Sequence, residues 1–421
     1  MKMFVWLLIG VLLNGGMLMA QWEAVPVTPE ALVQEALSRN PELKSSYYRW
    51  QSSRATISPA GTLPDLQVGI SLLNLPVNSF AFNREPMTGK QFALRQKIPF
   101  PGKLGLKSDL ARVQSDMEQA FYQEARNQLK AQVRVFYYEL FYLTRSLEVL
   151  NKNLELLQRV REVAETRYSV GTGLQQDILR IQVELLKMEE QKENLLFRRR
   201  EVCARLNELL NRTENQPIVP VDTLSLPVIT LPFDTLLIRV ERYRPLVRAW
   251  KLRNRQQEKR VALAQKQYLP DFTLGVAYTQ REKLVGGYAG VDFFSVWLTV
   301  DVPLYFWRKQ RKQVEQQTFL QQNTRWNLRK VLNQVRAEIA VVYEDIQRNR
   351  RLVQLYREGI LPQAEQSFRA NLSGYRTGKI DFLTLLNSQM VLFNYRQEYY
   401  RKLSNLHKQM ARLVFLVGEE L

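Results

Sequence analysis

Two kinds of hydrophobic periodicity take turns along this chain. Leu147, Leu150, Leu154, Leu157 and Val160 recur three and four residues apart, as the apolar seam of a helix requires. Further on the period falls to two. Phe272, Leu274, Val276 and Tyr278 face one side, with Thr273, Gly275, Ala277 and Thr279 on the other, which is the alternation of a strand. Phe294, Val296, Leu298, Val300 and Val302 alternate with Ser295, Trp297, Thr299 and Asp301. Leu66, Val68, Ile70 and Leu72 do the same, as do Phe92, Leu94 and Ile98, where Gln96 breaks the pattern. These patterns predict helices near 29–58, 104–169, 175–211, 233–267, 308–374 and 381–417, and strands near 65–73, 90–98, 271–280 and 294–302.

The order of elements repeats. Leu63-Pro64-Asp65-Leu66 returns as Leu269-Pro270-Asp271-Phe272, 206 residues later. Lys97-Ile98-Pro99 returns as Asp301-Val302-Pro303 and Asn40-Pro41 as Arg244-Pro245, both shifted by 204. Tyr168-Ser169-Val170-Gly171 returns as Tyr375-Arg376-Thr377-Gly378, and Ala204-Arg205-Leu206 as Ala411-Arg412-Leu413, both shifted by 207. Colinear matches at a nearly constant offset mark a duplication. The expected organisation is a first unit at 21–214, a linker at 215–232 holding Pro217, Pro220, Pro227 and Pro232, and a second unit at 233–421.

At about 1.5 Å per residue the long helix of each unit would reach roughly 100 Å. The two shorter helices of a unit, laid end to end, would match it. That describes a rod. Each strand is about nine residues long, enough to cross a bilayer when tilted, and Tyr305-Phe306-Trp307 follows the last strand, where an interfacial aromatic belt would lie. Half-buried strands of a soluble sheet would alternate in the same way. The absence of a covering helix beside either hairpin favours the membrane. Four strands cannot close a barrel and lipid does not tolerate open edges, so several chains would have to share one.

The start of the chain agrees with export. Lys2, the apolar run Phe4–Leu13, Asn14-Gly15-Gly16 and Met17–Ala20 follow the order of a secretory signal, with cleavage expected after Ala20, so that 1–20 is a signal peptide. No later stretch is apolar enough for a spanning helix. One cysteine, Cys203, and one histidine, His407, exclude an internal disulfide framework and a Cys/His zinc site. Cys203 sits in a helical apolar pattern and His407 has no companion ligand. No catalytic residue, cofactor or metal site is expected. The net charge of +19 raises nucleic acid as a partner. Yet Lys and Arg are spread along both units, with one short cluster at Arg198-Arg199-Arg200. A solvated helix surface is the simpler reading.

Taken in order and duplicated, these motifs resemble the TolC-like outer-membrane efflux protein family over nearly the whole mature chain. Gln96-Lys97-Ile98-Pro99-Phe100-Pro101-Gly102-Lys103-Leu104 is similar to the strand-to-helix junction of its heavy-metal and cation branch. Tyr168–Gly173 and Tyr375–Gly378 resemble its periplasmic hairpin turns. The resemblance implies a mainly α fold with membrane β: a homotrimer with a 12-stranded outer-membrane barrel continued by a periplasmic α-helical barrel. It implies a passive duct in the outer-membrane lipid, served by a periplasmic adaptor and an inner-membrane pump of the RND type. A type I secretion channel, or a periplasmic helical-hairpin adaptor or scaffold, is the alternative.

The resemblance also nominates residues. Gly171, Gly173 and Gly378 would let the hairpin turns change conformation. The acidic ring that narrows the family's entrance falls on Thr384 and Asn387, so that ring is absent here. Asp177 would latch to Tyr375 or Lys379, or else serve only as a helix N-terminal acid. Arg95, Lys97, Trp297 and Asp301 would face the barrel lumen, where Arg95 and Lys97 would favour anionic solutes. The loops 74–89 and 281–292 would cap the outer end.

Overall fold

The computed structural model describes residues 26–213, 216–227, 231–287 and 290–420; the expected signal peptide at 1–20 lies outside the described residues, as do small parts of the expected linker and of the second loop. The first half contains α1 (Pro29–Arg39), α2 (Pro41–Ala55), α3 (Ile57–Gly61), β1 (Gln67–Leu73), β2 (Gly89–Ile98), α4 (Lys103–Ser169) and α5 (Gln175–Leu210). The second contains α6 (Phe233–Tyr243), α7 (Pro245–Lys266), β3 (Asp271–Gln280), β4 (Phe293–Asp301), α8 (Gln310–Leu355), α9 (Leu361–Arg376) and α10 (Phe382–Val417).

Three stretches expected as single helices are broken, each at a proline. The expected helix 29–58 divides at Asn40, whose extended backbone (ψ 124°) precedes Pro41. The expected helix 233–267 divides in the same way at Arg244 (ψ 120°), before Pro245. A proline disfavours helical ψ in the residue before it, so the chain turns and restarts. The third case is 308–374. A π turn, Tyr356–Ile360, separates α8 from α9 just before Pro362, which has no N–H for the helical ladder and would clash with the carbonyl four residues back.

The long helices form the length of the rod. The seam Leu147, Leu150, Leu154, Leu157 and Val160 is buried against Ile181 and Met188 of α5 and Leu385 and Leu392 of α10. Each such side chain contributes roughly 1.5–3 kcal/mol by leaving water. α4 packs against α5 and α10, and α8 against α7 and α10. In the second half α10 and α7 meet end to end between α4 and α8. At their joint Glu124 of α4 accepts a hydrogen bond from Leu246 N at 3.1 Å. It thereby serves the N-terminus of α7, which has no side-chain cap of its own. Glu124 also pairs with Arg244 at 3.4 Å. The first half solves the same problem locally: Asn40 Oδ1 accepts from Leu43 N at 2.9 Å, and Asn40 Nδ2 donates to the Leu209 carbonyl at 3.0 Å.

The four strands form one antiparallel sheet in the order β1-β2-β3-β4. The central pairing, β2 with β3, joins the two halves in register from Lys90↔Gln280 to Ile98↔Phe272. β1 and β4 are the free edges.

Candidate gate and lumen surfaces

The two hairpins at the helical end close with the same turn. Gly171 (φ 74°) and Gly378 (φ 76°) occupy left-handed backbone, which glycine enters without steric cost. Thr172 N donates to the Arg167 carbonyl at 2.9 Å, and Lys379 N to the Gly374 carbonyl at 2.8 Å. Both are the six-residue closure of a Schellman motif, and every member of one turn lies 207 residues from its counterpart in the other.

Arg167 ties these tips together. Its Nη1 donates to the Tyr375 carbonyl at 2.9 Å, its Nη2 to the Thr172 carbonyl at 3.4 Å, and its guanidinium lies 4.7 Å from the centre of the Tyr375 ring. Tyr375 is only 3% exposed and packs edge-on against Phe382 at 5.8 Å. Burial pushes its phenol pKa upward. Asp177 lies close by. Partial burial raises its carboxyl pKa, with Arg167 and Arg180 opposing the shift and Asp381 reinforcing it. Among the described residues no hydrogen bond or ion pair within the chain joins Asp177 to Tyr375 or Lys379. Thr384 donates its N–H and hydroxyl to Asp381 at 2.8 and 3.0 Å, forming the N-cap of α10, while Asn387 and Lys379 are exposed.

At the other end the sheet has two unlike faces. Ile70 (72% exposed), Phe294, Val296 and Leu298 form an unpartnered apolar face. The opposite face carries Arg95, Gly275 and Trp297 in one row of the register. The Trp297 ring lies across Gly275, where any Cβ would collide with it. The Arg95 guanidinium sits 5.6 Å from the centre of that ring. Below this row Lys97 bridges Asp301 at 3.2 Å and Asp271 at 3.8 Å. The Pro99–Lys103 junction turns the corner from sheet to helix. Phe100 N and Lys103 Nζ both donate to Asp271 Oδ1, at 3.0 and 2.8 Å. Its residues hold the two halves together at the rim of the sheet.

A long helical rod ending in a four-stranded sheet with an apolar face is a specific combination. The sequence profile of the outer membrane efflux proteins matches residues 32–212 and again 237–419. The chain belongs to the outer membrane efflux protein family. No match was found among curated protein sequences. Solved structures of the same fold include the Vibrio cholerae outer membrane protein VceC, with 18% identity, 93% of this chain and 96% of that one covered, and a TM-score of 0.77. The Campylobacter jejuni outer membrane channel CmeC has 15% identity, coverage of 93% and 85%, and a TM-score of 0.78. CusC has 15% identity, coverage of 94% and 93%, and a TM-score of 0.78.

As an outer membrane efflux protein this chain is a non-enzymatic channel component of the outer membrane, with its helices extending into the periplasm. The apolar sheet face is then the lipid face, and exposed Tyr305, Phe306 and Trp307 lie at its helix-side border. Sequence reasoning put Arg95, Lys97, Trp297 and Asp301 on one side of the sheet without pairing them, and named Asp177 as a latch to Tyr375 or Lys379. It missed Arg167 and Asp381. The signal for Arg167 was a difference between the repeats, because glycine (Gly374) stands at its counterpart.

Proposed function

We propose that three copies of this efflux protein share one 12-stranded barrel and one periplasmic helical tube, and that the assembly is the passive exit duct of a tripartite export system. The observation that carries this reading is the sheet. It has a lipid-type apolar face, two unpaired edges at β1 and β4, and four strands, too few to close around a pore. Edge pairing with two further copies satisfies every backbone donor that lipid would otherwise leave unpaired. The wider division of the chain into units 21–214 and 233–421 about a linker at 215–232 fits the same picture, with each half supplying two strands and one long helix.

The polar face of Arg95, Lys97, Trp297 and Asp301 then lines the lumen, and the loops 74–89 and 281–292 lie at the outer exit. The tips carrying Gly171, Gly173 and Gly378 form the periplasmic entrance. There Arg167 and Tyr375 hold the hairpins in the narrow state, with Asp177, Lys379, Thr384 and Asn387 around them. Thr384 and Asn387 leave the entrance without an acidic constriction. An energised pump in the inner membrane, of the RND type, and a periplasmic adaptor supply and couple the cargo. The resemblance of the Pro99–Gly102 junction to the cation branch favours metal cations as that cargo, although the junction itself is engaged in turning the corner at Asp271.

The experiment is conductance of the purified protein in planar bilayers. Stable ohmic steps of one uniform size, unchanged by nucleotide, are expected. Insertion without conductance would contradict the duct.

A further inference from the structure

The joint where α10 meets α7 lines an open groove in the wall, about 940 Å³ in volume, within the range of small-molecule sites. Its walls come from α4, α7, α8 and α10. It opens on the face of the wall opposite the linker. On α10 the cavity takes Arg412 and Leu416, whereas His407, turned about half a revolution from them, binds the linker at the Ser225 carbonyl. On α4 it takes Gln128 and Val135, whereas Tyr137 points the other way, to Val27 and Val221. In the duct reading, on which this placement rests, that face is the interior.

One buried group in this cavity is incompletely used. The Arg244 side chain is 5% exposed. Its Nε and Nη2 reach Glu124 Oε1 at 3.4 Å, and its Nη1 has no hydrogen-bond partner. Both oxygens of Glu124 are already engaged, one by Arg244 and the other by Leu246 N. Arg412 adds a second, exposed guanidinium, and no ion pair is found for it among the described residues. Around these cations the lining is apolar: Phe136, Val341, Val342, Phe415 and Leu416. Glu338 stands on the α8 side.

We propose that this cavity is a binding subsite for amphipathic organic anions. A carboxylate or sulfonate would pair with the exposed Arg412 guanidinium, the charge of buried Arg244, which lies 5.2 Å from the centre of the Phe415 ring, adding to the field behind it, and an apolar ring system would lie against Val341, Val342 and Phe415. The net charge of +19 raises the local concentration of such solutes. The site gives the duct wall a place where an organic anion resides beside the path of the cargo.

The test is equilibrium dialysis of the full-length protein in lipid nanodiscs, corrected with empty discs, against 1-naphthalenesulfonate, 1-naphthalenemethanol and 1-naphthylmethylammonium. The sulfonate is expected to bind once per chain and about tenfold more tightly than the alcohol. Val341→Trp fills the cavity from a position 63% exposed, so folding is preserved, and should weaken the sulfonate by about tenfold or more. Arg412→Ala should weaken it several-fold, with unchanged thermal melting for both variants. Equal affinity for sulfonate and alcohol, tighter binding of the ammonium, or full binding by Val341→Trp would each overturn the proposal. Dialysis does not require conduction: a protein that conducts without binding refutes the subsite alone, and one that binds without conducting refutes the duct alone.

Discussion

At the scale of single residues, one guanidinium joins the two hairpins at the tip. Arg167 bonds the Tyr375 carbonyl and covers its ring. A hydrogen bond from a charged donor contributes roughly 1.5–3 kcal/mol, enough to shift a closed–open equilibrium by about tenfold to a hundredfold. Arg167→Ala should therefore raise the mean conductance in planar bilayers several-fold. Unchanged conductance would remove Arg167 from the gate. His407 offers a test of pH. Burial holds its imidazole down to about 4, against about 6.5 for an exposed histidine. The folded state keeps the neutral ring, so its stability is complete above pH 6.5 and falls as pH drops from there toward about 4. The loss is on the order of 3 kcal/mol. His407→Gln, which retains a donor for the Ser225 carbonyl, should flatten that part of the thermal-melting profile; an unchanged acid slope would refute the assignment. Both residues show what a sequence hides. Arg167 is one of many basic residues and only its position beside the second hairpin gives it a role, and nothing near His407 in the chain names its partner in the linker.

At the scale of elements, the alternation of side chains located the strands because one face meets lipid and the other does not. The helix interruptions were less legible. The Asn40-Pro41 and Arg244-Pro245 pairs were visible as repeats, but a break of one residue leaves the hydrophobic period on either side intact. Caps also escaped notice where they come from a distant helix. Asn40 caps α2 locally, whereas Glu124 reaches the N-terminus of α7 from α4, 122 residues away. Removing Glu124 would leave Arg244 buried without a partner, a cost of roughly 3–5 kcal/mol. Glu124→Ala should lower the melting temperature by several degrees, and Glu124→Gln, which can still accept from Leu246 N, by less. Equal melting of Glu124→Ala and the parent protein would show that this joint contributes nothing. In the sheet, Gly275→Val must push Trp297 from its place across the strand and should reduce the yield of heat-resistant oligomer on gels.

At the scale of the whole molecule, the two halves agree in geometry as well as in sequence. α4 alone equals α8, the π turn and α9 together in length, with 67 residues running from Lys103 to Ser169. The duplication and the order of elements could be read directly, since both depend on local pattern. The way the halves meet could not, because Asp271 holding Phe100 and Lys103 joins residues with no local signal. The architecture leaves one demand unmet within a single chain, the pairing of the β1 and β4 edges. The most direct measurement is the native mass of the particle extracted from outer-membrane fractions in mild detergent. The account predicts three chains per particle, confined to that fraction. A monomer, or a particle found in the soluble or inner-membrane fraction, would contradict it.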